Sequence, residues 1–200
     1  MTPTVGELPF ELREYGPKAP WKYEAGTLSV RTGPREDRFV PPSGESLDPA
    51  SDAPRLLGTP PAGDFQLIAH VTVDFTGAFD AGLLYLHVSD REWAKLCLER
   101  SPDKPTICTV VTRGHSDDAN SWVVEGNSVW LRITRTGKAF AFHASLDGET
   151  WTFVRVFALG NAESAQVGFM AQAPVGEGCG VSWTGIEYRG HAPKDLRDGS

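Results

Sequence analysis

Apolar and polar side chains alternate along most of this chain with the two-residue period of a β-strand. Strands are read on that basis at 8–15, 26–31, 64–76, 81–89, 92–100, 106–113, 121–125, 128–135, 138–146, 150–158, 165–173 and 180–188. Between them stand Ser89-Asp90, Glu125-Gly126-Asn127, Thr136-Gly137, Asp147-Gly148 and Gly160-Asn161, which supply the positive φ or side-chain capping of tight hairpins. Consecutive strands are therefore expected to be antiparallel neighbours. No stretch longer than one turn sustains a 3.6-residue period, and about twelve strands are too many for one flat sheet. The pattern predicts an all-β fold, a two-sheet antiparallel β-sandwich.

Residues 1–190 are read as a single sandwich domain. Within it, 32–63 holds seven of the 15 Pro and almost no periodicity, so it is expected to be a long irregular loop, either a wall of a binding site or a loose insertion. The polar tail 191–200 is expected to be flexible.

Alternation also sorts side chains by face. In 82–89, Leu84, Leu86 and Val88 oppose Leu83, Tyr85 and His87. In 93–99, Ala94, Leu96 and Leu98 oppose Trp93, Lys95, Cys97 and Glu99. Val129, Leu131 and Ile133 oppose Trp130, Arg132 and Thr134; Phe140, Phe142 and Ala144 oppose His143 and Ser145; Val154 and Val156 oppose Trp151, Phe153, Arg155 and Phe157. A merely solvated face would be rich in Thr, Ser, Lys and Glu. Here aromatics stand beside ionic groups, the combination that stacks on sugar faces and hydrogen-bonds sugar hydroxyls. Tyr85, His87, Trp93, Lys95, Glu99, Arg132, His143 and Arg155 are therefore expected to form one ligand-binding floor. The competing reading makes the aromatics a satellite core beneath loops and the charges its rim.

Catalytic signatures are sparse. A glycosidase needs two carboxylates flanking its groove; Glu99 is the candidate catalytic residue, with Asp37 or Asp117 as a loop-borne partner. No nucleophile elbow, P-loop or paired-His zinc motif occurs, and no cofactor or metal is expected; calcium at Asp117-Asp118 or Asp147 has no support beyond the acidic turns themselves. Cys97, Cys108 and Cys179, 11 and 71 residues apart, match neither a zinc nor a disulfide framework and are read as reduced thiols. A net charge of −7 with scattered Lys and Arg argues against a nucleic-acid partner. The absence of a long apolar run or a leader argues against a membrane and for a cytoplasmic location.

Asp80-Ala81-Gly82-Leu83-Leu84, Trp93-Ala94-Lys95, Glu99, Val110-Val111-Thr112, Ser116-Asp117, Ser145-Leu146-Asp147-Gly148-x-x-Trp151-x-x-x-Arg155 and Val167-Gly168-Phe169-Met170-Ala171 occur in this order, after Leu12 to Leu28 with Trp21 between. Together they resemble the DUF1349 family. The resemblance implies a concanavalin A-like jelly roll, a fold shared by lectins, glucanases and domains attached to xylosidases. One fungal branch is named for regulating enolase, which adds a regulatory protein partner to the carbohydrate, small-metabolite and glycosidase readings. The family pattern also implies that Trp93, Lys95 and Glu99 line the concave sheet. Where members often carry Trp after the Ser-Asp pair, this chain has Asp118, and Trp122 is the candidate substitute in the site. In the long loop, where members often show an aspartate followed by aromatics, it reads Asp37-Arg38-Phe39.

Overall fold

The structure, a computed structural model, describes residues 2–44 and 52–200. Its strands are β1 (Arg13–Tyr15), β2 (Lys22–Glu24), β3 (Thr27–Arg31), β4 (Arg55–Gly58), β5 (Phe65–Asp74), β6 (Ala81–Ser89), β7 (Glu92–Arg100), β8 (Pro105–Arg113), β9 (His115–Val123), β10 (Ser128–Thr136), β11 (Ala139–Ser145), β12 (Thr152–Ala158), β13 (Gln166–Gln172) and β14 (Gly180–Arg189). Among the described residues they form two antiparallel sheets, ordered β1-β4-β13-β6-β7-β8-β9 and β12-β11-β10-β5-β14-β3-β2. This is the sandwich that the alternation predicts.

The core is what the alternation places inside. Leu84 and Leu86 of β6, Ala94, Leu96 and Leu98 of β7, and Ile107 and Val111 of β8 meet Val71, Leu131, Ile133, Phe140, Phe142 and Trp183 from the second sheet. Trp183 stacks on Trp21 with centroids 5.8 Å apart and meets Phe169 edge-on at 5.5 Å. Fully burying one large apolar side chain contributes about 1.5–3 kcal/mol, so this layer holds the sheets together. Gly168 sets the approach of β13 to β4, since a Cβ there would lie 1.9 Å from the Leu56 carbonyl oxygen.

Several elements differ from the sequence reading. β4 runs inside the stretch expected to be irregular; all four of its residues are buried, so it shows no alternation. β9 begins at His115, well before the strand expected at 121, because this sheet-edge strand carries polar residues on both faces. In β12 the expected faces are reversed at the far end. A register shift against β11 at Phe142/His143 turns Phe157 into the core, 4.8 Å from Phe142, and leaves Val156 42% exposed. Residues 45–51, with Pro49, lie outside the described residues.

The tail contacts the second sheet. The Leu196 carbonyl oxygen lies 2.7 Å from His143 Nε2, and the Arg197 guanidinium stands 4.5 Å above the Phe153 ring. Asp147 caps its own turn by accepting the Glu149 and Thr150 N–H groups at 2.8 and 2.7 Å. All three cysteines are buried and unpaired.

Candidate functional site

Strand register lays out the outer face of the first sheet as a grid. One row runs Gln166, His87, Trp93, Thr112, Ser116; the next runs Gly168, Tyr85, Lys95, Val110, Asp118. A third runs Met170, Leu83, Cys97, Cys108, Asn120, and a fourth Gln172, Ala81, Glu99, Thr106. The period of two along β6 and β7 puts Tyr85, His87, Trp93, Lys95 and Glu99 on this one face.

Part of the face is roofed by the Pro-rich loop. Glu36 bridges to Ala173, and Val40 holds Ser116 through its carbonyl at 2.8 Å and its N–H at 2.9 Å. Arg38 Nε donates to the Tyr85 hydroxyl at 2.9 Å, and its guanidinium sits 5.5 Å from the Trp93 ring centroid. Asp52 binds both Arg38, at 3.3 Å, and Arg55, which in turn lies over Tyr85 at 5.7 Å. Phe39 and Val40 pack on a second apolar cluster of Leu83, Tyr85, Trp93, Cys97, Cys108 and Met170.

Tyr85 and Trp93 are consequently 0% exposed. They stack on each other, 5.8 Å between centroids, beneath cations of the chain itself. The expected sugar-stacking platform is covered, and the rings act as a satellite core. Burial, opposed by Arg38 and Arg55, pushes the Tyr85 phenol above its ordinary range. Burial and the same two arginines hold His87 below its usual value, so it is neutral near pH 7.

The other end of the face is polar and open. Lys95 is 1% exposed; its ammonium donates to Gln172 Oε1 at 2.8 Å and Asp37 Oδ1 at 3.2 Å, which offsets much of its desolvation. Gln172 Nε2 continues the chain to Glu99 Oε2 at 3.3 Å. Glu99 is raised to about 7 by burial against the attraction of Lys95, with Asp118 and Asp37 raising it further. Asp118, exposed on the edge strand, is raised by partial desolvation of its carboxyl and by Asp37, while Lys95, the Ala119 N–H and Arg155 lower it. Cys108 Sγ lies 3.1 Å from Asn120 Oδ1 at the margin. Asp37, Lys95, Glu99 and Asp118 thus make a mixed-charge cluster that is half in solvent.

The remaining candidates lie elsewhere, so the single floor does not form. Trp122 packs against the inter-sheet core. Arg155 closes the open side of the sandwich, pairing with Asp117 at 3.2 Å and reaching Thr109 at 3.3 Å. Arg132 and His143 face outward from the second sheet, on the opposite side of the molecule, because β10 and β11 belong to that layer. Alternation reports which residues share a strand face but not which sheet owns the strand. Gln172 and Asp118 lie outside the sequence-predicted site, although Gln172 falls on the outward parity of its strand. A separate cleft of about 780 Å³, between Asp64, Arg135, Lys138 and Asn161, holds none of these residues.

The fold is a two-sheet antiparallel β-sandwich whose first sheet carries a partly roofed polar face. The chain belongs to the DUF1349 family, described as a protein of unknown function, whose pattern matches residues 15–191. A curated relative, "Regulation of enolase protein 1" of Saccharomyces cerevisiae, is 26% identical over 149 residues, 74% of this chain and 75% of that protein. A functionally unknown Saccharomyces cerevisiae protein of known structure superposes with a TM-score of 0.79 at 21% identity, covering 90% of this chain and 96% of the other. The GH43 BlXynB protein of Bacillus licheniformis has a TM-score of 0.70 at 14% identity over 86% of this chain but only 34% of its own. The carbohydrate binding module CBM66 of Bacillus subtilis has a TM-score of 0.56 at 12% identity, covering 90% and 96%. At these identities the structural likenesses establish the fold alone. No helix among the described residues is long and apolar enough to cross a membrane.

Proposed function

We propose that the open end of the first sheet's outer face, from Lys95 and Glu99 across to Asp118 and Asn120, binds a carbohydrate or another small polyhydroxylated metabolite without turning it over. The observation that carries this reading is the chain Asp37–Lys95–Gln172–Glu99, in which acceptors and donors alternate beside a solvent boundary. Sugar hydroxyls both donate and accept, and they match such an array. The likeness of fold to a module that bears the name carbohydrate binding supports it. The site is made of hydrogen-bonding groups rather than stacking rings, so modest affinity is expected.

Calorimetric titration with neutral mono- and oligosaccharides and with sugar phosphates tests it. Glu99→Gln or Asp118→Asn is expected to weaken binding about tenfold or more, since a hydrogen bond to a charged group contributes about 1.5–3 kcal/mol. Saturable binding that both variants leave unchanged contradicts this placement.

Two observations favour other readings. Glu99 near 7 and Asp118 also raised are two carboxylates with enhanced proton affinity, which supports a glycosidase-like acid and base. That reading requires Glu99→Gln to abolish turnover of an activated glycoside. A cytoplasmic regulatory module with a protein partner is the other reading, and the name of the yeast relative supports its regulatory part alone. A specific partner retained by Glu99→Gln would favour that reading.

A further inference from the structure

The outer face of the second sheet buries a cation that no side chain among the described residues neutralises. Register places Glu187, Ile68, Arg132, His143 and Phe153 in one row across β14, β5, β10, β11 and β12. Arg132 is 1% exposed, and among the described residues its Nε and Nη2 have no hydrogen-bond partner. Glu187, the carboxylate of that row, is taken by Arg189 at 2.6 and 2.9 Å, and the Arg189 charge acts against Arg132. Among the described residues no ion pair to Arg132 is formed. Thr134 Oγ1, two residues along β10, and His143 Nδ1, across the strand pair, are likewise buried without partners. A guanidinium held out of water without counter-charge is costly. Nε and Nη2 lie on one edge of the guanidinium, where two parallel N–H groups match a carboxylate or phosphate.

The cover over this edge is the tail. The backbone at Gly199 lies against Arg132, so a Cβ there would be 2.6 Å from Nη2 and 2.7 Å from Trp151 Cβ. The tail's hydrogen bonds are otherwise mostly its own. Lys194 and Asp195 N–H groups reach the Ser200 carbonyl oxygen, and Gly199 N–H donates to the Asp195 carbonyl oxygen at 2.9 Å. To the sheet it makes the Leu196–His143 contact and, at its base, accepts from Gln66 Nε2 through His191 at 3.0 Å. A loop bonded to itself can leave as a unit. Trp151, whose ring centroid is 4.3 Å from the Arg132 guanidinium carbon, provides an apolar wall beside the edge.

We propose that the Arg132 edge is an oxyanion site that takes the carboxylate or phosphate group of a small molecule, and that residues 192–200 are its displaceable cover. It is independent of the polyol site on the first sheet. The test is calorimetric titration of the full chain with inorganic phosphate and, separately, acetate, with chloride at equal ionic strength as control. Saturable binding of phosphate, acetate or both is expected, and the tighter of the two fixes the class. Arg132→Met is expected to weaken it at least tenfold; if that variant fails to fold, Arg132→Lys keeps the charge, loses the fork and is expected to weaken binding as well. Gly199→Val lifts the tail without altering charge and is expected to tighten binding severalfold, because apparent affinity rises with the uncovered fraction. Absence of oxyanion binding even in Gly199→Val, or binding indifferent to Arg132, overturns the site; binding indifferent to Gly199→Val overturns the cover.

Discussion

Arg38 Nε donates to the Tyr85 hydroxyl at 2.9 Å, and through that bond an irregular loop is fastened to the sheet beneath it. The same guanidinium covers Trp93 and pairs with Asp52, so one side chain closes the aromatic half of the face. The ligand reading consequently rests on the polar half, where Lys95, Glu99 and Asp118 stand.

Removing the fastening should uncover the rings. Arg38→Ala is expected to cost about 1.5–3 kcal/mol in chemical denaturation, the worth of a hydrogen bond to a charged group. Acrylamide quenching of tryptophan fluorescence should rise relative to wild type, and the rise should vanish in a Trp93→Phe background.

Glu99 makes the protein less stable as pH rises. Its carboxyl holds a proton to about 7 in the fold and to about 4.5 when unfolded, so the native state binds more protons between those values. Stability therefore falls as pH rises through that window, by about 3 kcal/mol. Glu99→Gln should be more stabilising at pH 8 than at pH 4, as read from denaturation midpoints. An equal effect at both values would show that burial does not raise this carboxyl.

His143 acts in the opposite sense. Burial lowers it to about 4, so the unfolded chain takes up a proton first as pH drops below 6.5. Stability present above 6.5 is lost toward pH 4, by about 3 kcal/mol. His143→Leu should flatten that part of the pH profile of the melting temperature.

Gly168 tests the packing of the first sheet. With a Cβ forced to 1.9 Å from the Leu56 carbonyl oxygen, Gly168→Ala must push β4 from β13. A loss of about 3 kcal/mol or more in urea denaturation is expected, in the range of severe backbone clashes.

The sandwich and most of its core were legible in the alternation because both layers bury one face and leave the other for different use. Tyr85, Lys95 and Glu99 were placed on one face for the same reason. Their neighbours were less legible. Asp37 lies 58 residues before Lys95 in an irregular loop, and no local pattern encodes that contact. Asp118 stands on an edge strand whose polar run reads as a turn. Arg132 and His143 show the same alternation as Lys95, yet face the other way, since sheet membership is settled by long-range pairing. The shift at Phe142/His143 reverses part of β12 with no glycine or proline at the spot to announce it.

The most direct test of the central claim is amide chemical-shift mapping of the isotopically labelled protein during titration with neutral oligosaccharides. The account predicts saturable shifts gathered at Asp37, Lys95, Glu99, Asp118, Asn120 and Gln172. Shifts confined to the Arg132 and His143 face, or none with any saccharide, would contradict it.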